Sequence, residues 1–156
     1  MPNILSHKYY MQQALKEAKK AYKRDEVPVG AIVVDPNGNI IAKAYNQGEH
    51  GLTAISHAEI IAMTKACKKL SQPRLWDCKL YVTLEPCTMC ATAISMMRIK
   101  EVIYGASNPK GGAIEHGVKF YEQPTCNHSP NITRGILETE CSNILKDFFA
   151  LKRASN

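Results

Sequence analysis

Cys87 and Cys90 stand three positions apart, directly after the strand-like run Leu80-Tyr81-Val82-Thr83-Leu84 and the pair Glu85-Pro86. A strand that ends on P-C-x-x-C and turns into a helix puts two sulfurs on one helical face, where they can share one ion. The start of that helix presents free N–H groups and a positive dipole end, which favour the thiolates a metal needs. Upstream, with residues 60–85 between, lies His57-Ala58-Glu59. His57 is the candidate third ligand. Three protein ligands leave the fourth tetrahedral position to water, the pattern of a catalytic zinc and not of a structural one. Zinc lowers the pKa of that water to about 7. Side chains two residues apart diverge in a regular helix, so His57 and Glu59 converge only if His57 sits at the helix start. Glu59 is then the candidate proton carrier, with a partly buried carboxyl.

Three other readings compete with a catalytic zinc. A closed structural site could take Cys67 or Cys78 as fourth ligand, but both lie outside a tight ligand spacing. A thiol–disulfide pair fits C-x-x-C and leaves the His-Ala-Glu triplet without a role. Chance co-occurrence of two short motifs is the third.

Around these motifs the chain alternates helices and strands. Met11, Ala14, Leu15, Ala18, Ala21 and Tyr22 recur at helical spacing from Ser6, a fitting N-cap, to about Arg24. Val29 to Asp35 and Ile40 to Tyr45 are strand-like, and the Asn37-Gly38 step between them signals a hairpin. A helix is expected from about His57 to Leu70, a strand at Leu80–Leu84, a helix opening near Pro86 and a strand at Glu101–Tyr104. Gly105 to Pro130 reads as a long functional loop, and Arg134 to Lys152 as the last helix. This order describes an α/β layered fold, and 156 residues make a single domain, 1–156.

Net charge is +6, with Lys16, Lys19, Lys20, Lys23 and Arg24 near the start and Lys146, Lys152 and Arg153 near the end. That balance suits a phosphate-bearing partner, although solvated helix faces produce the same pattern. No apolar run approaches the width of a bilayer, and Met1 to His7 show no basic-then-apolar leader. A cytoplasmic protein without a membrane partner is therefore expected. Cys67, Cys78, Cys126 and Cys141 are then small buried hydrophobes and not disulfide partners.

The paired motifs resemble the cytidine deaminase-like superfamily. Along nearly the whole chain, further segments are similar to the bacterial tRNA-specific adenosine deaminases. They include Glu26-Val27-Pro28-Val29-Gly30-Ala31, Asn46, His57-Ala58-Glu59-Ile60, Leu80 through Cys87, and Met89-Cys90-Ala91. Arg98-Ile99, Tyr104-Gly105-Ala106, Asn127-His128 and Gly135-Ile136-Leu137 through Phe149 continue the likeness. The resemblance implies a three-layer α/β/α fold around a mixed five-stranded sheet, one Zn2+ per subunit and a homodimer. It implies hydrolytic deamination of adenosine to inosine at the wobble position of a tRNA anticodon stem-loop. His57, Cys87 and Cys90 are the implied metal ligands and Glu59 the proton shuttle. Asn46 would hydrogen-bond a flipped base, with Val29 and Leu84 also on the substrate. Phe148, Phe149 and Arg153 on the last helix would shape the wall and hold the RNA loop. Plain core packing accounts equally for the two phenylalanines, and for Asn46 turn capping is the lesser alternative. Lys110 is the candidate phosphate contact, with Arg98 and Lys100 behind it.

The chain also departs from that family. Ser107-Asn108 stands where a charged residue and an aspartate are more usual. An aspartate accepts from a ribose 2′-OH, whereas Asn108 also donates, so a looser preference for RNA is expected. Thr92, Ile55-Ser56 and Glu115-His116 are further departures. Two other functions stay in play: a deaminase of free guanine, cytosine or cytidine, and a non-catalytic zinc module that binds RNA.

Overall fold

Neighbouring residues of the first strand face opposite ways, and that alternation builds the layers. The computed structural model describes residues 5–51 and 53–155. In chain order the elements are α1 (His7–Lys23), β1 (Gly30–Val34), β2 (Ile40–Tyr45), α2 (Ala58–Leu70), β3 (Lys79–Leu84) and α3 (Thr88–Met96). Then follow β4 (Glu101–Ala106), a short 3-10 turn (Phe120–Glu122), β5 (Asn131–Arg134) and α4 (Glu138–Ser155). Ile32, Val34, Tyr81 and Ile103 face Tyr10, Met11, Ala14 and Leu15 of α1, with Cys141 of α4 in the same cluster. Ala31, Val33, Leu80 and Val82 face Ala58, Ala62, Met63 and Ala66 of α2 and Ile94 of α3. Helices thus cover both faces of one sheet.

The sheet order is β2-β1-β3-β4-β5. Strand β1 runs antiparallel to β2 and β3, while β3, β4 and β5 are mutually parallel. Helix α1 presses so close to β1 that a Cβ on Gly30 would meet the Ala14 carbonyl at 2.0 Å. Ser6 caps α1 as expected, its side chain accepting from Tyr9 N. The pairings Gly30↔Tyr45, Ala31↔Val82 and Leu84↔Ala106 bring the ends of β2, β3 and β4 and the start of β1 to one side. Open α/β sheets bind ligands at this carboxyl edge.

Three boundaries differ from the sequence reading. Arg134 closes β5 and does not open the last helix; positive φ at Gly135 (80°) and Leu137 (54°) turns the chain before α4 begins. Pro86 precedes the N-cap Cys87 and is not in the first helical turn. The segment read as a loop from Gly105 is shorter, because β4 continues through Ala106. Cys78 and Cys141 are buried, whereas Cys67 and Cys126 are half-buried. Among the described residues no helix is long and apolar enough to cross a membrane.

Candidate metal centre and substrate cleft

Two helix starts meet at the site. His57 is the N-cap of α2, in extended geometry (φ −71°, ψ 151°), and Cys87 is the N-cap of α3. Cys90 follows in the first turn of α3 and is fully buried. His57 Nδ1 lies 3.6 Å from Cys87 Sγ and 3.5 Å from Cys90 Sγ. The three donor atoms all lie within 4.8 Å of one another. Tetrahedral zinc, with bonds of about 2.3 Å to sulfur and 2.0–2.1 Å to nitrogen, sets neighbouring sulfur and nitrogen donors about 3.6 Å apart. The donor set and its spacing fit zinc.

Electrostatics in the triad follow from contact and burial. A hydrogen bond from the Cys90 thiol, with the His57 ring beside it, pulls the Cys87 thiol down to about 4. Cys90, the donor in that bond and buried, is pushed up. The bond to Cys87 raises His57. Glu59, in the first turn of α2, is 4% exposed. Burial pushes its carboxyl up to about 7, with His57 and Cys90 as neighbours that oppose the shift. A carboxyl poised there both takes and gives protons near neutrality. Because His57 precedes the helix and Glu59 lies inside it, both point into one cleft of about 210 Å³.

Asn46, Val29, Leu84 and Asn108 line the same cleft. Asn46 Nδ2 donates to the Val27 carbonyl at 3.4 Å, while its Oδ1 is buried without a partner among the described residues. A buried acceptor left unpaired costs about 1–3 kcal/mol, so this oxygen is suited to a ligand donor. Through Val27, Leu84 and Asn108 the cleft opens into a groove of about 1020 Å³. Lys110, Phe149 and Arg153 line that groove, together with Lys146 and Lys152, which sequence reasoning did not assign. Phe148 is placed differently: it is 6% exposed and packs edge-on against Tyr22, outside both linings. Arg98 sits beside Met96 and Phe120, and Lys100 beside Asp77 and Lys79, so neither borders the groove.

The loop after β4 is held by a buried carboxylate. Glu85, 1% exposed, accepts from the backbone N–H groups of Asn108, Ile114, Glu115 and His116. The His116 ring lies 2.8 Å from the same carboxylate. Burial alone would raise Glu85, but these donors hold it below the usual carboxylate value. Glu115 in turn accepts from Tyr104, Ser107 and Arg134. Glu115-His116, an interruption by sequence, is therefore an anchor that fixes Asn108 at the mouth of the cleft. The Asn108 side chain accepts from Gly111 N at 3.0 Å.

The profile of the cytidine and deoxycytidylate deaminase zinc-binding region matches residues 5–106. The tRNA-specific adenosine deaminase of Agrobacterium fabrum (strain C58 / ATCC 33970) is 50% identical over 145 residues, covering 93% of this chain and 95% of that protein. The chain belongs to the tRNA-specific adenosine deaminases. The family member from Bacillus subtilis (strain 168) is 45% identical over 140 residues, covering 90% and 86% of the two chains. A structure from work on A-to-I editing by tRNA:A34 deaminases at the wobble position superposes with a TM-score of 0.86 at 50% identity, covering 88% of this chain and 99% of that one. The guanine deaminase of Nitrosomonas europaea shares the fold (TM-score 0.77, 21% identity, 96% and 88% covered). The chain is a zinc-dependent deaminase, and His57, Cys87 and Cys90 form its one candidate zinc site among the described residues with this donor set.

Proposed function

We propose that this chain hydrolyses the 6-amino group of the wobble adenosine in a tRNA anticodon, giving inosine and ammonia. The observation that carries the proposal is the buried Glu59 carboxyl beside the His57–Cys87–Cys90 triad, in a cleft that opens into a basic groove. A free base needs only the cleft. The groove, with Lys110, Lys146, Lys152 and Arg153 along it, suits the phosphates of a polymer.

His57, Cys87 and Cys90 would hold the zinc ion, which when bound would supply activation of water at neutral pH. Glu59 would take a proton from the attacking water and pass it to the adjacent purine ring nitrogen. It would then take the proton of the new 6-hydroxyl and give it to the departing amine, leaving ammonia and the 6-oxo group of inosine. His57 presents Nδ1 to the thiols and also lines the cleft. The adenosine must leave its stack to reach this floor. Asn46 Oδ1 accepts from the flipped base, and Val29 and Leu84 provide apolar walls. Phe149 offers a stacking face at the groove, and Arg153 and Lys110 meet the backbone. All of this lies in one domain, 1–156.

A homodimer belongs to the same proposal. Leu75 N donates to the Met97 carbonyl, which joins the segments carrying the exposed apolar side chains Trp76 and Met96. Such a surface suits a second copy, and sedimentation at micromolar concentration tests it. Cytoplasmic location belongs to the same proposal, since the tRNA substrate is present there. The reaction itself is tested by Glu59→Ala: zinc content is retained while inosine formation in a stem-loop is lost. Equal turnover by the variant would refute the assigned role.

A further inference from the structure

Glu26 is 2% exposed and takes no part in the chemistry above. Each of its oxygens accepts one backbone amide: Oε1 from Glu49 N at 2.9 Å and Oε2 from His50 N at 2.7 Å. These amides lie in the connection between β2 and α2. Its two ends are Asn46 and His57, both lining the cleft.

The remaining hydrogen bonds of this connection are mostly its own. Gly51 N donates to the Gln47 carbonyl, Gln47 N to the Ser56 carbonyl, and the Thr53 and Ser56 hydroxyls pair. Asp25 also reaches His50, at 3.6 Å, but both side chains are more than half exposed, where an ion pair contributes little. Among the described residues, Glu26 is thus the buried side chain that ties this connection to the body of the protein. The residue type follows from the geometry. Two adjacent N–H groups converge on one side chain, and a carboxylate offers two acceptors, no donor and charge-assisted bonds.

We propose that Glu26 is a positioning residue for the base-holding side of the site, acting through Asn46. The inference rests on the reaction proposed above. Clamping Glu49 and His50 sets the connection, and with it the Asn46 side chain whose Oδ1 faces the base, before substrate arrives. Without the clamp the connection must be ordered during binding, which weakens affinity and leaves the bond-making step nearly untouched. Glutamine at this position turns an NH2 toward one of the two N–H donors, so one amide loses its partner.

The test uses the zinc-loaded full chain and an anticodon stem-loop carrying a wobble adenosine. Glu26→Gln is expected to raise KM about tenfold with kcat within about threefold, at unchanged zinc content. Added to Asn46→Ala, the same substitution is expected to change KM less than about twofold, because both act through one contact. Amide exchange at Glu49 and His50 accelerates, while that of β1 does not. Gly51→Ala provides a second route, since a Cβ there would crowd the Gln47 carbonyl at 2.4 Å. It is expected to raise KM in the same way, with Glu26 intact, and it carries the test if Glu26→Gln does not fold. Unchanged KM, full additivity with Asn46→Ala, or unchanged exchange at Glu49 and His50 would overturn the inference. Absence of wild-type turnover on the stem-loop would instead overturn the proposed reaction.

Discussion

His57 Nδ1 lies 3.6 Å from the Cys87 sulfur, although 30 positions separate the two residues in the chain. Each is the N-cap of its own helix, and both helices pack on the same face of the sheet. The chain between them supplies all of α2 and strand β3, so the zinc site closes only when the sheet has formed.

Cys87→Ser should therefore release the metal. Purified and dialysed, the variant is expected to hold far less than one zinc per chain and to melt several degrees below the wild type, since metal binding couples to folding. Full zinc occupancy in the variant would contradict the ligand assignment.

Acid stability should depend on Glu115. Burial pushes its carboxyl up, but the Ser107 and Tyr104 hydroxyls and Arg134 outweigh this and hold it below its ordinary value of 4.5. A group depressed on folding stabilises fully above its unfolded value, and that contribution is lost as pH falls through the folded value. The melting temperature of Glu115→Gln should thus fall short of the wild type at neutral pH, with the gap closing as pH falls below 4.5 and through the lowered folded value. A gap that is constant with pH would show that the carboxylate charge is not involved.

Lys110 lines the groove from the loop that Glu85 clamps. If it meets a phosphate, Lys110→Gln lowers the slope of log affinity against log salt by about 1, for every stem-loop sequence alike. Titration at several salt concentrations checks this; an unchanged slope removes Lys110 from the contact.

Asn108 borders both cleft and groove. Its side-chain oxygen caps Gly111 N, a role that an aspartate fills equally well. Asn108→Asp should preserve the loop and sharpen the preference for RNA over DNA by adding an acceptor for a 2′-OH. Turnover of RNA and DNA stem-loops by both proteins measures the ratio, and an equal loss on DNA in wild type and variant would contradict the idea.

Much of this was legible in the chain because its signals are local. The hairpin is written in Asn37-Gly38, the start of α1 in Ser6, and the zinc triad in two short motifs. The need for His57 and Glu59 to converge predicted His57 at the very start of its helix, where it is the N-cap. Strand β5 was not legible: four residues at a sheet edge, mostly exposed, carry no alternation to read. Nor were the clamps at Glu26 and Glu85, because they act on backbone amides, which have no sequence signature. Phe148 and Phe149 were equivalent by spacing alone. Successive helical residues point about 100° apart, so packing against Tyr22 takes one inward while the other faces the groove. Lys146 and Lys152 could have been found, since Ser142, Leu145, Lys146, Phe149, Lys152 and Arg153 form one helical stripe.

The most direct test of the account is conversion of adenosine to inosine in an anticodon stem-loop with a wobble adenosine, run beside free guanine and free cytidine. The account predicts inosine in the stem-loop and no turnover of the free compounds. Turnover of a free base or nucleoside alone would leave the zinc site standing and contradict the substrate read from the groove.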